Sequence, residues 1–516
     1  MRKALALFLA ILCSLAVLGN VFTVKFPDSV PLDTVGRLFV ILTKDGTEEP
    51  RFQFGWGDAP SIFFATSVEG LNSDRTVSLD ADTLGYPVEK LSDLAPGFYY
   101  VQALFDFYKT FHRSDGSVVT IHKYFQFWEA PGNLYSNVVY SYVDPKKASV
   151  KLSLSNQIPE EELPADTDLV KFVKIKSEIL SEFWGDDIYL RAGIILPRDY
   201  HKTSDFYPVR YNIGGFGTRY TRVLNLMKEG SSFYKMWFEE DTPKFIYVQL
   251  DSEAPFGDCY WMNSENNGPY ADALMKELIP YIEQHFRAIP QPWARLLDGG
   301  STGGWVSLAL QVFYPDFFGG CWSQIPDPVD FRSFQVVNIY EDKNAYFKDY
   351  GFYRVERPSK RDAKGDTVFT IRQENWMEYV MGPHGTSGGQ WDSWQAVFSP
   401  KGVDGLPLKI WDKVTGEIDH KVAEKWKRFD IYLYLKENWS KLAGKLKGKI
   451  HILAGGRDSY FLENAVYSLK EFLDKTEPHY GGYVKIVPEV GHRRILTDKQ
   501  VMLEMYQAIE EKLKSK

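Results

Sequence analysis

Six residues, Gly299-Gly300-Ser301-Thr302-Gly303-Gly304, dictate more about the architecture of this chain than any other segment. They sit between a strand-like Ala294-Arg295-Leu296-Leu297 and a helix-like Trp305–Phe313. Small residues on both sides of a serine let the backbone turn sharply from strand to helix and leave the hydroxyl exposed at the tip. The same turn aims the Thr302 N–H, with a helix N-terminus behind it, at the place where charge develops on an attacked carbonyl oxygen. Ser301 is therefore the candidate nucleophile. A second stretch with the same GxSxG spacing, Gly385-Thr386-Ser387-Gly388-Gly389, follows Met381-Gly382-Pro383-His384, which cannot end a central strand. Ser387 reads as part of a glycine-rich loop.

An elbow of this kind belongs to a sheet with crossover helices, and the sequence supplies one from residue 170 onwards. Val170–Phe183 and Asp187–Leu196 read as an opening strand pair, followed by strands at Val209–Ile213, Phe245–Leu250, Ala294–Leu297, Gly320–Ile325, Lys449–Leu453 and Tyr483–Val487. Between them Tyr270–Phe286 carries Ala273, Leu274, Leu278, Tyr281 and Ile282, the spacing of a helix with one apolar face. Helices are also expected near Leu462–Leu473 and Lys499–Leu513. Before residue 145 the pattern differs: short β-rich runs at Arg37–Thr43, Ser61–Ser67, Phe98–Phe105 and Val118–Phe127, punctuated by turn dipeptides, predict an all-β, immunoglobulin-like sandwich. The expected division is a signal segment 1–19, a sandwich 20–145, a linker and leading strand 146–169 containing the acidic Pro159–Pro164 stretch, an α/β domain in two parts, 170–325 and 430–516, and an insertion 326–429. Trp391 and Trp394 of that insertion offer apolar area and are candidate substrate contacts.

A serine hydroxyl needs a base to take its proton and a third group to orient that base. In chain order these partners should follow later strands. Asp458 comes after the strand Lys449–Leu453, and His492 after the strand Tyr483–Val487. Asp327 and Asp330, after the preceding strand, are the alternative source of the acid. The glycine-rich stretch Tyr211-Asn212-Ile213-Gly214-Gly215-Phe216-Gly217 offers a second oxyanion donor, at Gly215 or Phe216.

Asp298–Gly304, the helix at Tyr270–Phe286 with Glu277-Leu278-Ile279-Pro280, the run Tyr314-Pro315-Asp316-Phe317-Phe318, and the Asp458 and Gly491-His492 positions together resemble the Putative esterase family, which includes enterochelin esterases and feruloyl esterases. The resemblance covers roughly 170–325 and 449–516. It implies an α/β-hydrolase fold preceded by a β-sandwich, a Ser301-Asp458-His492 triad, no metal or cofactor, and cleavage of carboxylic esters through an acyl-enzyme. Ile213 stands where relatives often carry histidine. The substrate expected is a small-molecule or polymer-linked ester.

Arg2 and Lys3 followed by the apolar Ala4–Val17 read as a secretory signal, so export to a periplasmic or extracellular space is expected, without stable membrane insertion afterwards. The acidic balance, 60 Lys and Arg against 68 Asp and Glu, argues against nucleic acid as a partner. Cys259 and Cys321 could pair in an oxidising compartment. HExxH, paired CxxC, P-loop and dinucleotide motifs are absent from the sequence. The same triad would also serve an acyltransferase or a serine peptidase, and a non-catalytic, polymer-binding protein could keep the scaffold. The β region is too short for the propeller that precedes one family of such peptidases.

Overall fold

The computed structural model describes residues 21–53, 61–147 and 150–514. The expected signal segment lies outside them. Among the described residues two compact units emerge, one running up to Phe105 and taking in the stretch 134–157, the other formed by Asp106–Asn133 and the chain from Ile158 onwards.

The first unit is all-β. Phe22–Lys25 lies between Val150–Ser153, in parallel, and Thr76–Leu79, antiparallel. A second sheet places Val35–Thr43 against Ile62–Glu69, beside the strand that begins at Gly97. From Leu38 to Leu42 every side chain is buried, with Phe26 and Phe105 meeting edge to face at 4.8 Å. β-branched and aromatic residues in such runs suit a pleated, half-buried surface.

The sequence expectation of one β-domain ending at 145 is not how the chain packs. Residues 106–133 belong to the second unit. There Tyr108–His112 pairs with Val118–His122, and Asp106 holds His122 Nδ1 at 3.3 Å and Asn133 Nδ2 at 2.9 Å. Arg113 lies among the rings of Phe183, Trp184 and Phe256 and donates to the Gly405 carbonyl.

The centre of the second unit is an eight-stranded sheet. In chain order its strands are Val170–Lys176, Tyr189–Ile195, Val209–Ile213, Ile246–Leu250, Arg295–Ser301, Gly320–Pro326, Ile450–Gly455 and Tyr483–Val487, and in space they run first, second, fourth, third, fifth, sixth, seventh, eighth. The second strand is antiparallel to both neighbours, and all later pairings are parallel. This is the α/β-hydrolase fold. On one face Trp237, Val501, Met502, Met505 and Ile509 cover Ile195, Tyr247 and Trp322. On the other, the helix Thr302–Phe313 is buried from Thr302 to Val312.

Two local expectations are corrected. Val170–Phe183 is a strand only to Lys176, because Ser177 accepts the Leu180 N–H and caps a helix, Glu178–Trp184, that closes on Gly185 at φ 63°. Leu180 and Trp184, four apart, are its buried pair, a spacing that belongs to a helix. The helix at Tyr270–His285 carries a π-helical turn, Leu274–Leu278, just before Pro280, which has no N–H to continue the regular ladder. Of the two states open to Cys259 and Cys321, a bridge or two buried thiols, the structure has the second, both being buried and free.

The insertion between the sixth and seventh strands contains two hairpins and the helices Ile371–Met381, Gln390–Phe398 and His420–Trp426. Its core is aromatic: Phe334 meets Trp394 at 4.8 Å, Trp391 meets Trp394 at 4.9 Å, and Trp411 and Trp426 complete the cluster. Within it Lys413 pairs with Glu378 at 2.9 Å and Asp392 at 2.7 Å. Among the described residues no helix is long and apolar enough to cross a membrane.

Candidate active site

The fifth strand ends on Ser301, held at φ 59°, ψ −125°, with the helix Thr302–Phe313 beginning at the next residue. That backbone is strained for any residue with a side chain, and it puts the hydroxyl at the tip of the elbow. Glycine is required beneath it: a Cβ on Gly303 would lie 2.0 Å from the Ile213 carbonyl oxygen, and one on Gly299 would lie 2.2 Å from the Gly303 carbonyl oxygen. The third strand therefore runs directly under the elbow. The loop that leaves it brings Gly215 alongside the nucleophile, its Cβ direction pointing 3.7 Å from Ser301 Cβ. Phe216 packs on Phe125 with ring centroids 5.8 Å apart, and Gln126 donates to the Gly217 carbonyl at 2.8 Å. Residues 125–126 thus brace the loop that carries the second oxyanion candidate.

Asp458 follows the seventh strand and is 1% exposed. His492 Nδ1 is 2.7 Å from its Oδ2, while the Tyr460 N–H donates to Oδ1 at 2.9 Å. With Nδ1 donating to the carboxylate, Nε2 keeps the lone pair. The Tyr460 ring stands edge-on to the imidazole at 5.0 Å. Burial disfavours the charged imidazole, but the hydrogen bond and charge of Asp458, with the charge of Asp327, outweigh it and raise the His492 pKa.

Neither alternative carboxylate occupies the position of Asp458. Asp330 caps the turn Phe331–Ser333 and pairs with Arg332 at 2.6 Å. Asp327 lies beside Ser301, its Oδ1 3.4 Å from Oγ. Ser387 is 1% exposed and donates to Asp392 at 2.6 Å inside the insertion, as a loop serine would. Trp391 and Trp394, expected as substrate contacts, are 4% and 3% exposed. Trp391 Nε1 donates to Glu374 at 2.9 Å, and both rings fill the insertion's own core, so they offer almost no surface to a ligand.

Sequence reasoning passed over two supports of this site. Asp298, three residues before Ser301, accepts from Arg210 Nε at 3.0 Å, Asn212 at 2.7 Å and Arg494 at 2.7 Å. Arg494, two residues after His492, so ties the histidine loop to the nucleophile strand. Arg361 of the insertion donates from its backbone to the Ser459 carbonyl at 2.8 Å and from Nε to the Asp458 carbonyl at 3.0 Å, and pairs with Glu463. Proximity of Asp298 and Arg494 to the motif residues was the available signal; for Arg361 there was none.

Fold and site together define an α/β hydrolase with a serine at its elbow. More closely, residues 189–476 match the model of the family described as Putative esterase, and the chain belongs to that family. Ester hydrolysis is accordingly its reaction class. Solved structures that resemble it include a ferulic acid esterase at 14% identity, covering 66% of this chain and 96% of that one, with a TM-score of 0.38. Another is FphF, a fluorophosphonate-binding serine hydrolase of Staphylococcus aureus, at 12% identity, 66% and 98% coverage and a TM-score of 0.39. A third is an S-formylglutathione hydrolase from Agrobacterium tumefaciens, at 13% identity, 67% and 93% coverage and a TM-score of 0.35. No curated protein matches the sequence.

Proposed function

We propose that this protein is an exported serine esterase in which Ser301 is the nucleophile, His492 the base and Asp458 the group that orients it. The observation that carries the reading is the left-handed Ser301 at a strand-to-helix elbow, with Gly215 at its side. Such strain is retained where a reactive group must be presented. Ser301 Oγ attacks the ester carbonyl carbon as its proton passes to His492 Nε2. The N–H groups of Thr302 and of Gly215 or Phe216 stabilise the oxyanion. When the C–O bond breaks, the alcohol leaves with that proton, and the acyl group stays on Ser301. Water, giving a proton to His492, then releases the acid and restores the serine. Asp458 fixes the imidazole tautomer throughout. The export part of the proposal rests on the signal pattern of residues 1–19.

A fluorophosphonate probe tests the assignment. The wild-type protein should be labelled and hydrolyse 4-nitrophenyl acetate, and Ser301→Ala should fold, remain unlabelled and lose nearly all turnover. Labelling or turnover that survives in Ser301→Ala and disappears in Ser387→Ala would overturn it.

A further inference from the structure

Three non-glycine residues with left-handed backbone surround one carboxyl. Ser301 at φ 59°, Tyr260 at φ 51° and Ile325 at φ 43° all lie in a region that side chains disfavour, and for a β-branched residue such as Ile325 the value is a steric outlier. Backbone of this kind persists only where surrounding contacts fix it. Ile325 and Pro326 lead the chain from the end of the sixth strand into Asp327, which is 3% exposed.

The contacts of Asp327 are directed at the elbow. Its N–H donates to the Ser301 carbonyl at 3.3 Å. Its Oδ2 accepts from Tyr260 Oη at 2.6 Å, Thr302 Oγ1 at 3.0 Å and Gln390 Nε2 at 3.3 Å. Its Oδ1 accepts from the Ser301 hydroxyl at 3.4 Å, a contact that orients the serine at rest and is given up when its proton turns to His492, and the Trp394 side chain also favours the ionised carboxyl. Gln390, the first residue of the insertion helix Gln390–Phe398, also donates to the Tyr260 hydroxyl.

We propose that Asp327 is a positioning residue that fixes both the Ser301 hydroxyl and the helix start bearing the Thr302 N–H, and that the insertion acts on ester cleavage through Gln390. The inference rests on Ser301 being the nucleophile. Holding Ser301 and Thr302 from one carboxyl keeps attacking atom and oxyanion donor in fixed relation, which is where small displacements cost most rate. It also gives the insertion a part in the chemical step.

The charged and titratable groups around Asp327 set the pH readout. Tyr260 and Asp258 come from the segment after the fourth strand, and His492 from the loop after the eighth, with Asp458 behind it. Burial pushes Asp327 up, against the Tyr260 and Thr302 hydrogen bonds and the attraction of His492. Burial, opposed by the Tyr260 N–H and reinforced by Asp327 and Asp251, pushes Asp258 up to about 8. When ionised, Asp327 stabilises the imidazolium of His492.

The test is kcat and KM for 4-nitrophenyl acetate against pH in Asp327→Asn, Gln390→Ala and Ser301→Ala. Asp327→Asn should lower kcat by about 10- to 100-fold at nearly unchanged KM. The acid limb of its kcat/KM profile should also move to lower pH, because a negative neighbour of His492 is gone. A kcat at the wild-type value overturns the proposal, whatever happens to Tm or to the acid limb. If Asp327→Asn does not fold, Gln390→Ala decides: a kcat at least about threefold lower at unchanged KM supports it, and wild-type kcat overturns it. Turnover retained in Ser301→Ala would instead overturn the nucleophile assignment beneath it.

Discussion

Asp458 and Asp330 show how little a carboxylate's place in the sequence says about its task. Both follow a strand of the same sheet, yet one faces an imidazole and the other caps a turn beside Arg332. Asp458→Asn leaves His492 free to adopt the other tautomer, which in a protease triad serving as a general template costs about 10⁴ in kcat. A loss of that order is expected here. Asp330→Asn should keep kcat near wild type while lowering Tm, and steady-state rates with a melting curve separate the two effects. The pH dependence follows from His492. As the base it must be neutral, and its pKa is raised, so kcat/KM should fall with decreasing pH through a value above the ordinary ~6.5. The stability linked to that residue runs the other way. Because its folded pKa is the higher one, its contribution is fully present below ~6.5 and is lost as pH rises through the folded value. A kcat/KM profile with its acid limb below 6.5 would contradict the Asp458 contact.

Among elements, the elbow and the insertion helix Gln390–Phe398 make opposite demands on their residues. The elbow has no room, since a Cβ on Gly303 meets backbone of the third strand that cannot swing aside. Gly303→Ala should therefore abolish fluorophosphonate labelling and lower Tm by several degrees, and a labelled variant with wild-type Tm would show the elbow to be looser. The insertion helix is filled from within. Trp391→Ala removes a ring packed against Phe334, Trp394 and Trp411 and strands a buried Glu374, which should cost about 3–5 kcal/mol of folding stability. Urea unfolding measures that loss. The relative kcat/KM values for esters of different chain length should stay as in the wild type, and a changed ranking would restore these rings to the substrate cleft.

Across the whole hydrolase unit, one buried charge network joins parts far apart in the chain. Asp298 on the fifth strand, Arg210 on the third, Arg494 after His492 and Asp498 at the start of the last helix form it, with Arg210 and Asp298 fully buried. Burial pushes the Asp298 carboxyl up, but Arg210, Arg494 and their hydrogen bonds outweigh it and hold the pKa at about 2. Its folded pKa is depressed, so this contribution is complete above ~4 and drains away as pH falls towards 2. Asp298→Asn leaves Arg210 facing a neutral amide and should cost about 3–5 kcal/mol. Urea midpoints at pH 7 and pH 3 should then differ less in the variant than in the wild type. Since Arg494 also sets the histidine loop, kcat should fall with it.

Local signals carried the elbow, the alternation of strands and helices, and the places of Ser301, Asp458 and His492 relative to strand ends. Each depends on a few adjacent residues: glycines that permit one turn, an apolar period that selects strand or helix, a loop that must follow a strand. The sequence by itself therefore determined the class of fold and the candidate nucleophile. It did not reveal that Ser177 opens a helix and ends the first strand, because Val170–Phe183 is apolar enough for either period. Tertiary structure alone decided that Trp391 and Trp394 are core and not cleft, and that Cys259 and Cys321 remain thiols. It also decided that residues 106–133 pack with the hydrolase unit and that Asp327 faces Ser301 while Asp330 caps a turn. Those outcomes depend on which distant segments meet, such as Gln390 with Tyr260 across 130 positions, and no local pattern encodes such a meeting.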